Sequence, residues 1–224
     1  MSSAEVIMNL RRLSNVQRFS LYPLVQKYSV AVHSYYTSIL AHVIAKEYNS
    51  WAEKHNALFH PYDVDNQVDL LDIETTISKA IYHDVEETLI SDIPWTVKHF
   101  DRQAHEEFER IAKSKLDLLY EGTDLDWQKH LALTAKLDLE GEVVDIADSL
   151  DCALTIYTEY NLGNRYLTSM LNTCLKLIKN HEHFNTLMVA SSTFRGIVDK
   201  LVELNEYLDS QEAPMGSIPA DYRQ

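Results

Sequence analysis

Apolar residues that recur every three or four positions over long stretches constrain this chain more than any other feature. Within residues 29–51 the pattern includes Val32, Tyr36, Ile39 and Val43. That spacing places the side chains on one face of an α-helix. Only 5 Gly and 5 Pro occur among the 224 residues, so few positions would interrupt such helices. The sequence therefore predicts an all-α fold.

The same periodicity predicts further helices along the rest of the chain. They cover residues 6–18, 68–87, 95–119, 125–136, 140–160, 166–179 and 184–208. Residues 19–27 and 56–69 are expected to be loops. We expect residues 1–210 to form a single domain with one core. The remaining residues, 211–224, contain Pro214, Gly216 and Pro219 and are expected to form a flexible tail.

The charge balance restricts the ligands and the location of the protein. The formal net charge is −14, and no basic stretch offers a footprint for a nucleic-acid polymer. A small phosphate compound would need a local cation. No apolar run is long enough to span a membrane, and no signal peptide opens the sequence, so we expect a cytoplasmic protein. Cys152 and Cys174 lie in apolar helical patterns and are expected to be reduced core residues.

Candidate metal ligands lie on three predicted helices. His83 and Asp84 follow the apolar face of residues 68–87, and Glu87 lies one helical turn further on. Because buried charged groups are costly unless something binds them, a divalent cation is a good partner for this pair. His33 and Asp148 are candidates on two other helices. Two imidazoles and two carboxylates suit a borderline divalent metal that keeps positions open for water.

Neighbouring residues offer alternatives to part of this set. Asp145 and Asp151 lie three residues either side of Asp148, on nearby parts of the same helix, although the flanking Ala-Asp-Ser-Leu sequence favours Asp148. His181 and His183 could also bind a metal, but solvated residues of a turn between helices are the preferred interpretation.

Several short stretches resemble the HD-domain 5′-deoxynucleotidases of bacteria in order and in local context. They are Val16-Gln17-Arg18-Phe19, Val32-His33-Ser34, Ile81-Tyr82-His83-Asp84-Val85-Glu86-Glu87, Ser91-Asp92-Ile93-Pro94, Val97-Lys98-His99-Phe100 and Ala147-Asp148-Ser149-Leu150. The run from Tyr82 to Phe100 is the most specific part. The resemblance implies an HD-domain helical bundle with a single metal site between helices.

The resemblance also implies the metal ligands. In this family four residues bind one divalent metal, such as Co, Mn or Zn. Their counterparts here are His33, His83, Asp84 and Asp148.

Further roles follow from the same resemblance. Glu87 matches an acid that assists proton transfer, and Asp92 matches a second acid close to the reacting water and phosphate. Arg18 matches the arginine that binds the substrate phosphate. Phe19 stands where the family carries a Trp beside the sugar 2′ position, and we expect it to contact the substrate. The stretch between His33 and His83 is longer here, with the extra residues near 53–69.

The implied function is hydrolysis of the 5′-phosphate of deoxynucleoside monophosphates. Two alternatives stay open: a deoxynucleoside triphosphate triphosphohydrolase, for example one selective for dATP, and a non-catalytic HD scaffold that binds nucleotides. Since Arg18 and Lys98 are the candidate cations near the motifs, the monophosphate is favoured. The expected partners are a small-molecule deoxynucleotide and a second copy of the chain in a homodimer, with no nucleic-acid polymer and no membrane.

Overall fold

The computed structural model describes residues 2–60, 64–93, 102–121 and 138–211, and the regular structure within them is helical. The α-helices are α1 (Ser3–Leu10), α2 (Val30–Asn56), α3 (Ile73–Tyr82), α4 (Glu87–Ile90), α5 (Arg102–Tyr120), α6 (Leu139–Asn161), α7 (Thr168–Lys179), α8 (Phe184–Ala190) and α9 (Ser192–Gln211). Two 3₁₀ helices cover Arg11–Ser14 and Val64–Asn66. The prediction of an all-α fold is confirmed.

Polar side chains fix where three of the central helices begin. The side chain of Ser29 accepts a hydrogen bond from Val32 N at the start of α2. The carboxylates of Asp72 and Asp138 do the same for Thr75 N in α3 and Gly141 N in α6. Each cap satisfies one of the amide groups that the first turn of a helix leaves without a partner.

The helices α2, α3 and α6 pack against one another, and α7 covers the far side of α6. Ile44 of α2, Ile146 and Leu150 of α6, Leu171 of α7 and Phe194 of α9 are completely or almost completely buried in the shared core. A smaller cluster of Val6, Val85, Leu116 and Tyr120 joins α1 and α5 to the segment after α3. His33 and Asp148 therefore lie on helices that the main core holds together, and His83 and Asp84 directly follow the third of these helices, α3.

The helix boundaries differ from the prediction at the segment that carries His83 and Asp84. The helix predicted over residues 68–87 is α3, which ends at Tyr82, so His83 and Asp84 lie in a turn after the helix and not within it. In that turn Val85 N and Glu87 N bond to carbonyls three residues back, those of Tyr82 and Asp84. This tighter pattern of hydrogen bonds ends the α-helix.

The helix predicted over residues 184–208 forms two helices, α8 and α9. The chain is extended at Ser191 (ψ 111°), between α8 and α9. The carboxylate of Glu47 in α2 accepts hydrogen bonds from the Ser191 hydroxyl and from Thr193 N. A partner distant in sequence therefore stabilises the first turn of α9 at a position that no Gly or Pro marks.

Other predictions lie partly outside the described residues. The helix expected over residues 125–136 lies wholly outside them, as do Lys98, His99 and nearly all of the expected tail. In the part of the chain that the structure describes, no helix combines the length and apolar character needed to cross a membrane. Cys152 and Cys174 are buried free thiols, as predicted.

Candidate metal centre

Helix α2 and the turn after α3 bring three of the four predicted ligands together, and Asp148 of α6 lies next to one of them. One ligand atom each from His33, His83 and Asp84 forms a group whose members all lie within 4.8 Å of one another. The two imidazoles approach through Nε2, with 3.1 Å between these nitrogens. Asp84 Oδ2 is 3.6 Å from Nε2 of His33 and 3.3 Å from Nε2 of His83. Asp148 Oδ1 lies 3.0 Å from His33 Nε2.

The surroundings of each imidazole determine which nitrogen carries the proton in the neutral ring. His33 Nδ1 is 2.6 Å from Asp151 Oδ2, and His83 Nδ1 is 2.7 Å from the carbonyl oxygen of Ala80. Carboxylate and carbonyl oxygens only accept, so both Nδ1 atoms must donate. When both rings are neutral, as metal binding requires, both Nε2 atoms carry lone pairs, and these nitrogens lie close to each other and to Asp84 Oδ2.

These residues fit a divalent metal ion. Two imidazole lone pairs and carboxylate oxygens that converge at about 3 Å would repel one another unless a cation or protons lie between them. Ligand atoms that share an ion at about 2.1 Å have separations of this size. The mixed nitrogen and oxygen donors suit Zn, Mn or Co better than the all-oxygen sites that Mg and Ca prefer.

The electrostatics of the site also favour positive charge. Burial lowers the pKa of His83, but the adjacent Asp84 carboxylate outweighs this, and the pKa rises to about 9. Burial alone would raise the pKa of Asp148, yet the hydrogen bond and charge of His33, with Arg18 and His83 nearby, hold that pKa well below its usual range. The Asp148 carboxylate therefore remains anionic and favours a cation beside it.

Arg18 lies beside the predicted ligands. Its Nη1 donates to Asp84 Oδ2 at 2.7 Å, and its Nη2 is 3.7 Å from Asp148 Oδ1. Its backbone N donates to the Tyr28 carbonyl at 2.8 Å, which ties the arginine to the residues just before α2. Burial lowers its pKa, but Asp84 and Asp148 raise it well above the usual value. The guanidinium is a fixed cation next to the ligand atoms.

The other predicted site residues differ in burial and in their surroundings. Glu87 opens α4, is 2 % exposed, and is near enough for its charge to raise the pKa of Arg18. Asp92 is partly buried and follows Ser91, whose φ of +68° turns the backbone sharply. Phe19 follows Arg18 directly, but its ring lies mostly within the main core. The backbone of Phe19 is in the left-handed region, with φ +55°, a strained conformation of the kind that concentrates at functional sites.

Sequence reasoning missed the role of two residues at the centre. The sequence offers Asp151 only as an alternative ligand. In the structure it contacts Nδ1 of His33, whereas Nε2 of the same ring faces the ligand atoms. The hydroxyl of Tyr28 donates to the same Asp151 oxygen at 2.5 Å. The signal available in the sequence was the i, i+3 spacing of Asp148 and Asp151, which puts both on one helix face.

The histidines near residue 181 are more enclosed than predicted. His183 donates from N and Nδ1 to the two carboxylate oxygens of Glu142, at 2.8 and 2.7 Å. His181 lies 3.8 Å from both Glu142 and Asp145. Both histidines lie in the turn before α8, as predicted, and are partly exposed; through Glu142 they also connect this turn to α6.

The fold and the site together define a helical domain with a buried centre of histidines and aspartates. Comparison with known proteins gives the family. The model of the 5′-deoxynucleotidase YfbR-like family matches residues 5–191. This chain belongs to that family, and the resemblance seen in the sequence is confirmed.

Curated relatives agree with this assignment. The 5′-deoxynucleotidase of Pectobacterium atrosepticum is 28% identical over 85% of this chain and 93% of its own length. The 5′-deoxynucleotidase YfbR of Escherichia coli is 29% identical over 73% of this chain and 77% of its own length.

Solved structures share the fold. An HD-domain phosphohydrolase from Listeria innocua superposes with a TM-score of 0.61 at 20% identity, covering 94% of this chain and 100% of that one. A conserved hypothetical protein from Pyrococcus furiosus gives 0.66 at 23% identity over 90% and 99%. The expected HD-domain bundle is therefore confirmed as the fold.

Proposed function

We propose that this protein hydrolyses the 5′-phosphate of deoxynucleoside monophosphates and releases deoxynucleoside and phosphate. The observation that carries the proposal is the position of Arg18, 2.7 Å from Asp84 beside the paired histidines. A phosphate-binding cation thus adjoins the residues suited to a metal. Membership of a family whose curated relatives are named 5′-deoxynucleotidases supports the same activity.

His33, His83, Asp84 and Asp148 are proposed to hold one divalent ion of the Mn, Co or Zn type. When bound, such an ion supplies Lewis-acid chemistry, because it polarises a phosphoryl oxygen and acidifies water. The Asp148 side chain is 27% exposed, whereas that of His33 is completely buried. The exposed side at Asp148 is therefore where we expect the substrate to enter.

Arg18 is proposed to bind the substrate phosphate. Its planar guanidinium can donate two parallel hydrogen bonds to phosphate oxygens, which fixes the orientation of the group as well as its charge. The same cation neutralises charge that builds on the oxygens as the phosphorus is attacked. It also solves the problem of binding an anion to a chain with a net charge of −14.

Glu87 and Asp92 are proposed to move protons. The Glu87 carboxylate can take a proton at Oε from the attacking water, and Asp92 can give one to the 5′-oxygen as it leaves. Each such transfer by a positioned group contributes about 100-fold or more to the rate. Burial of Glu87, which is 2 % exposed, favours this role because bulk water is largely kept away from the carboxylate.

Phe19 is proposed to contribute to the choice of deoxyribose. The residue is attached directly to Arg18, so a nucleotide whose phosphate is bound there has its sugar close to the Phe19 backbone and to the small part of the ring that the core leaves exposed. An added 2′-hydroxyl would need space or a hydrogen-bond partner that an aromatic edge does not give.

An assay of product identity tests the activity. Metal-stripped protein is incubated with Mn²⁺, Co²⁺ or Zn²⁺ and a panel of dNMPs, NMPs and dNTPs, and the products are separated by chromatography. Asp84→Asn is compared with Asp145→Asn, a matched change on α6 at a residue close to His181. We expect orthophosphate from dNMPs, a fall of about 100-fold or more in Asp84→Asn, and little change in Asp145→Asn.

The other products point to the alternatives. Release of triphosphate from dNTPs, with dNMPs untouched, would replace the proposed reaction by that of a triphosphohydrolase. Absence of turnover with every metal and substrate would refute the enzyme and leave a nucleotide-binding scaffold.

Two finer statements complete the proposal: the protein acts in the cytoplasm, and it is a homodimer. One face of α2 supports the dimer, because Val32, Tyr35, Tyr36 and Ile39 share helical spacing and all four are exposed. Light scattering after size exclusion tests this: a monomer mass of 25.8 kDa at micromolar concentration would contradict it.

A further inference from the structure

Behind the proposed ligand His33 lies a buried carboxylate that the activity above does not use. Asp151, on α6, is 4% exposed. Its Oδ2 accepts from His33 Nδ1 at 2.6 Å and from the Tyr28 hydroxyl at 2.5 Å. Burying a carboxylate is costly unless it is hydrogen-bonded. Both partners of Asp151 are themselves buried or half-buried, so the three groups form a specific internal arrangement and not a surface contact.

We propose that Asp151 is a positioning residue for the metal centre: it holds the proton of His33 on Nδ1, directs Nε2 at the metal, and is itself oriented by Tyr28. The inference rests on the proposed function, since it requires His33 to be a ligand. It adds two residues to that site, neither of which touches the ion or the substrate.

The first step of the argument concerns the imidazole. A neutral imidazole has one donor nitrogen and one acceptor nitrogen, and a metal ion can bind only the acceptor. With Asp151 fixed opposite Nδ1, the ring of His33 has a single favourable tautomer, and Nε2 faces His83 and Asp148. The negative charge of Asp151 also makes the imidazole a stronger donor to a metal.

The second step concerns Tyr28. Its hydroxyl donates to Asp151, and Thr155, one turn along α6, lines the same cavity as Tyr28 and Asp151. The carbonyl of the same Tyr28 accepts the backbone N–H of Arg18 at 2.8 Å. One residue thus connects the carboxylate behind the metal ligand to the segment that holds the phosphate-binding arginine.

The experiment measures metal affinity without turnover. Metal-stripped wild type, Asp151→Asn and Asp145→Asn are titrated with Mn²⁺ in competition with a chelator. Asp145→Asn is the matched control, because it removes a carboxylate from the same helix at a position six residues before Asp151. Asn is preferred to Ala because Asp151 also lines a cavity of about 310 Å³. Truncation of its side chain to Ala would let water from that cavity enter the space beside His33.

We expect Asp151→Asn to bind Mn²⁺ about 10- to 100-fold more weakly than wild type, and Asp145→Asn to bind as wild type does. Tyr28→Phe keeps the ring and removes only the hydroxyl, so we expect a smaller loss, about 2- to 10-fold. If Asp151→Asn does not fold, as judged by circular dichroism, Tyr28→Phe decides: unchanged affinity overturns the proposal.

A spectroscopic measurement separates positioning from general stability. In ¹⁵N-labelled, Zn²⁺-loaded wild type and Asp145→Asn, the Hδ1 proton of His33 should be shifted downfield and exchange slowly. In Asp151→Asn it should move upfield and exchange faster. An unchanged Hδ1 resonance would refute the proposed hydrogen bond even if the variant were less stable.

Mn²⁺ titration of Asp84→Asn distinguishes failure of the positioning role from failure of the proposed function. Loss of Mn²⁺ binding in Asp84→Asn with wild-type binding in Asp151→Asn would overturn the positioning role and leave the metal site standing. Wild-type binding in both variants would refute the metal site itself, and the positioning role with it.

Discussion

Replacement of Glu159 by Gln should destabilise the protein, because it weakens hydrogen bonds to a loop that is remote from Glu159 in sequence. Glu159 lies near the end of α6 and is 2% exposed. Its carboxylate accepts hydrogen bonds from Val25 N at 2.8 Å, Gln26 N at 3.0 Å and Asn164 Nδ2 at 2.6 Å. The first two donors belong to the segment between Arg18 and α2. Glu159 therefore holds in place the loop that carries the proposed phosphate-binding residue.

The magnitude follows from the environment of the three donors. A hydrogen bond to a charged group contributes about 1.5–3 kcal/mol. Val25 and Gln26 are exposed, so water can replace Glu159 as partner of their amides, whereas Asn164 is buried. We therefore expect Glu159→Gln to lower the free energy of unfolding by about 2 kcal/mol at pH 7, which corresponds to about 4–8 °C in Tm for a chain of this size.

The effect should depend on pH with a definite sign. Burial raises the pKa of Glu159, but the amide of Val25, the side chain of Asn164 and the amide of Gln26 together lower it below the usual 4.5. A carboxylate with a depressed pKa stabilises the fold above its unfolded-state pKa and loses that contribution as the pH falls through its folded-state pKa. The difference between wild type and Glu159→Gln should be complete above about pH 5 and shrink in more acid solution.

Urea denaturation from pH 7 down to the acid limit of the fold measures this. Glu203→Gln, the same change at an exposed position of α9, is the control and should alter stability by less than about 0.5 kcal/mol. The reasoning is refuted if Glu159→Gln loses no more stability than Glu203→Gln at pH 7. A difference that stays constant as the solution becomes acid would refute the role of the charge.

Three further changes have expected outcomes. Arg18→Lys keeps the charge but loses the paired donors, so KM for a dNMP should rise about 10-fold or more in steady-state assays; an unchanged KM would count against phosphate binding by Arg18. Glu47→Gln weakens the cap of α9 and should cost about 1–2 kcal/mol in urea denaturation, and an effect as small as that of Glu203→Gln would contradict it. Phe194→Ala, at a fully buried position, should cost about 3–5 kcal/mol in the same measurement, and a loss under 1 kcal/mol would show that the core closes around the gap.

Local signals were enough to predict the long helices and the identity of the HD pair. The apolar period of α2 and α6 and the caps at Ser29 and Asp138 are properties of neighbouring residues, so a single sequence reveals them. The end of α3 was not visible in this way. Residues 83–87 continue a helical pattern, but the structure turns there, with Val85 buried in the smaller core cluster.

The break at Ser191 shows the same limit more clearly. No Gly or Pro stands there, and the apolar pattern continues from α8 into α9. What stabilises the break is the Glu47 carboxylate, which caps α9 from 144 residues away in sequence. A cap formed across the core leaves no local signature, so the pattern predicted one helix where the chain forms two.

The three aspartates of α6 show why roles within a site are harder to predict than its existence. Asp145, Asp148 and Asp151 recur at a spacing of three, so each step rotates the side chain by about −60° around the helix axis. Aspartates that lie about one turn apart on the same helix can therefore contact different neighbours. The structure places Asp145 toward His181, Asp148 toward His33 Nε2 and Asp151 toward His33 Nδ1. Only the packing of α6 against α2 distinguishes the two nitrogens of one imidazole, and that packing depends on core residues far from the aspartates themselves.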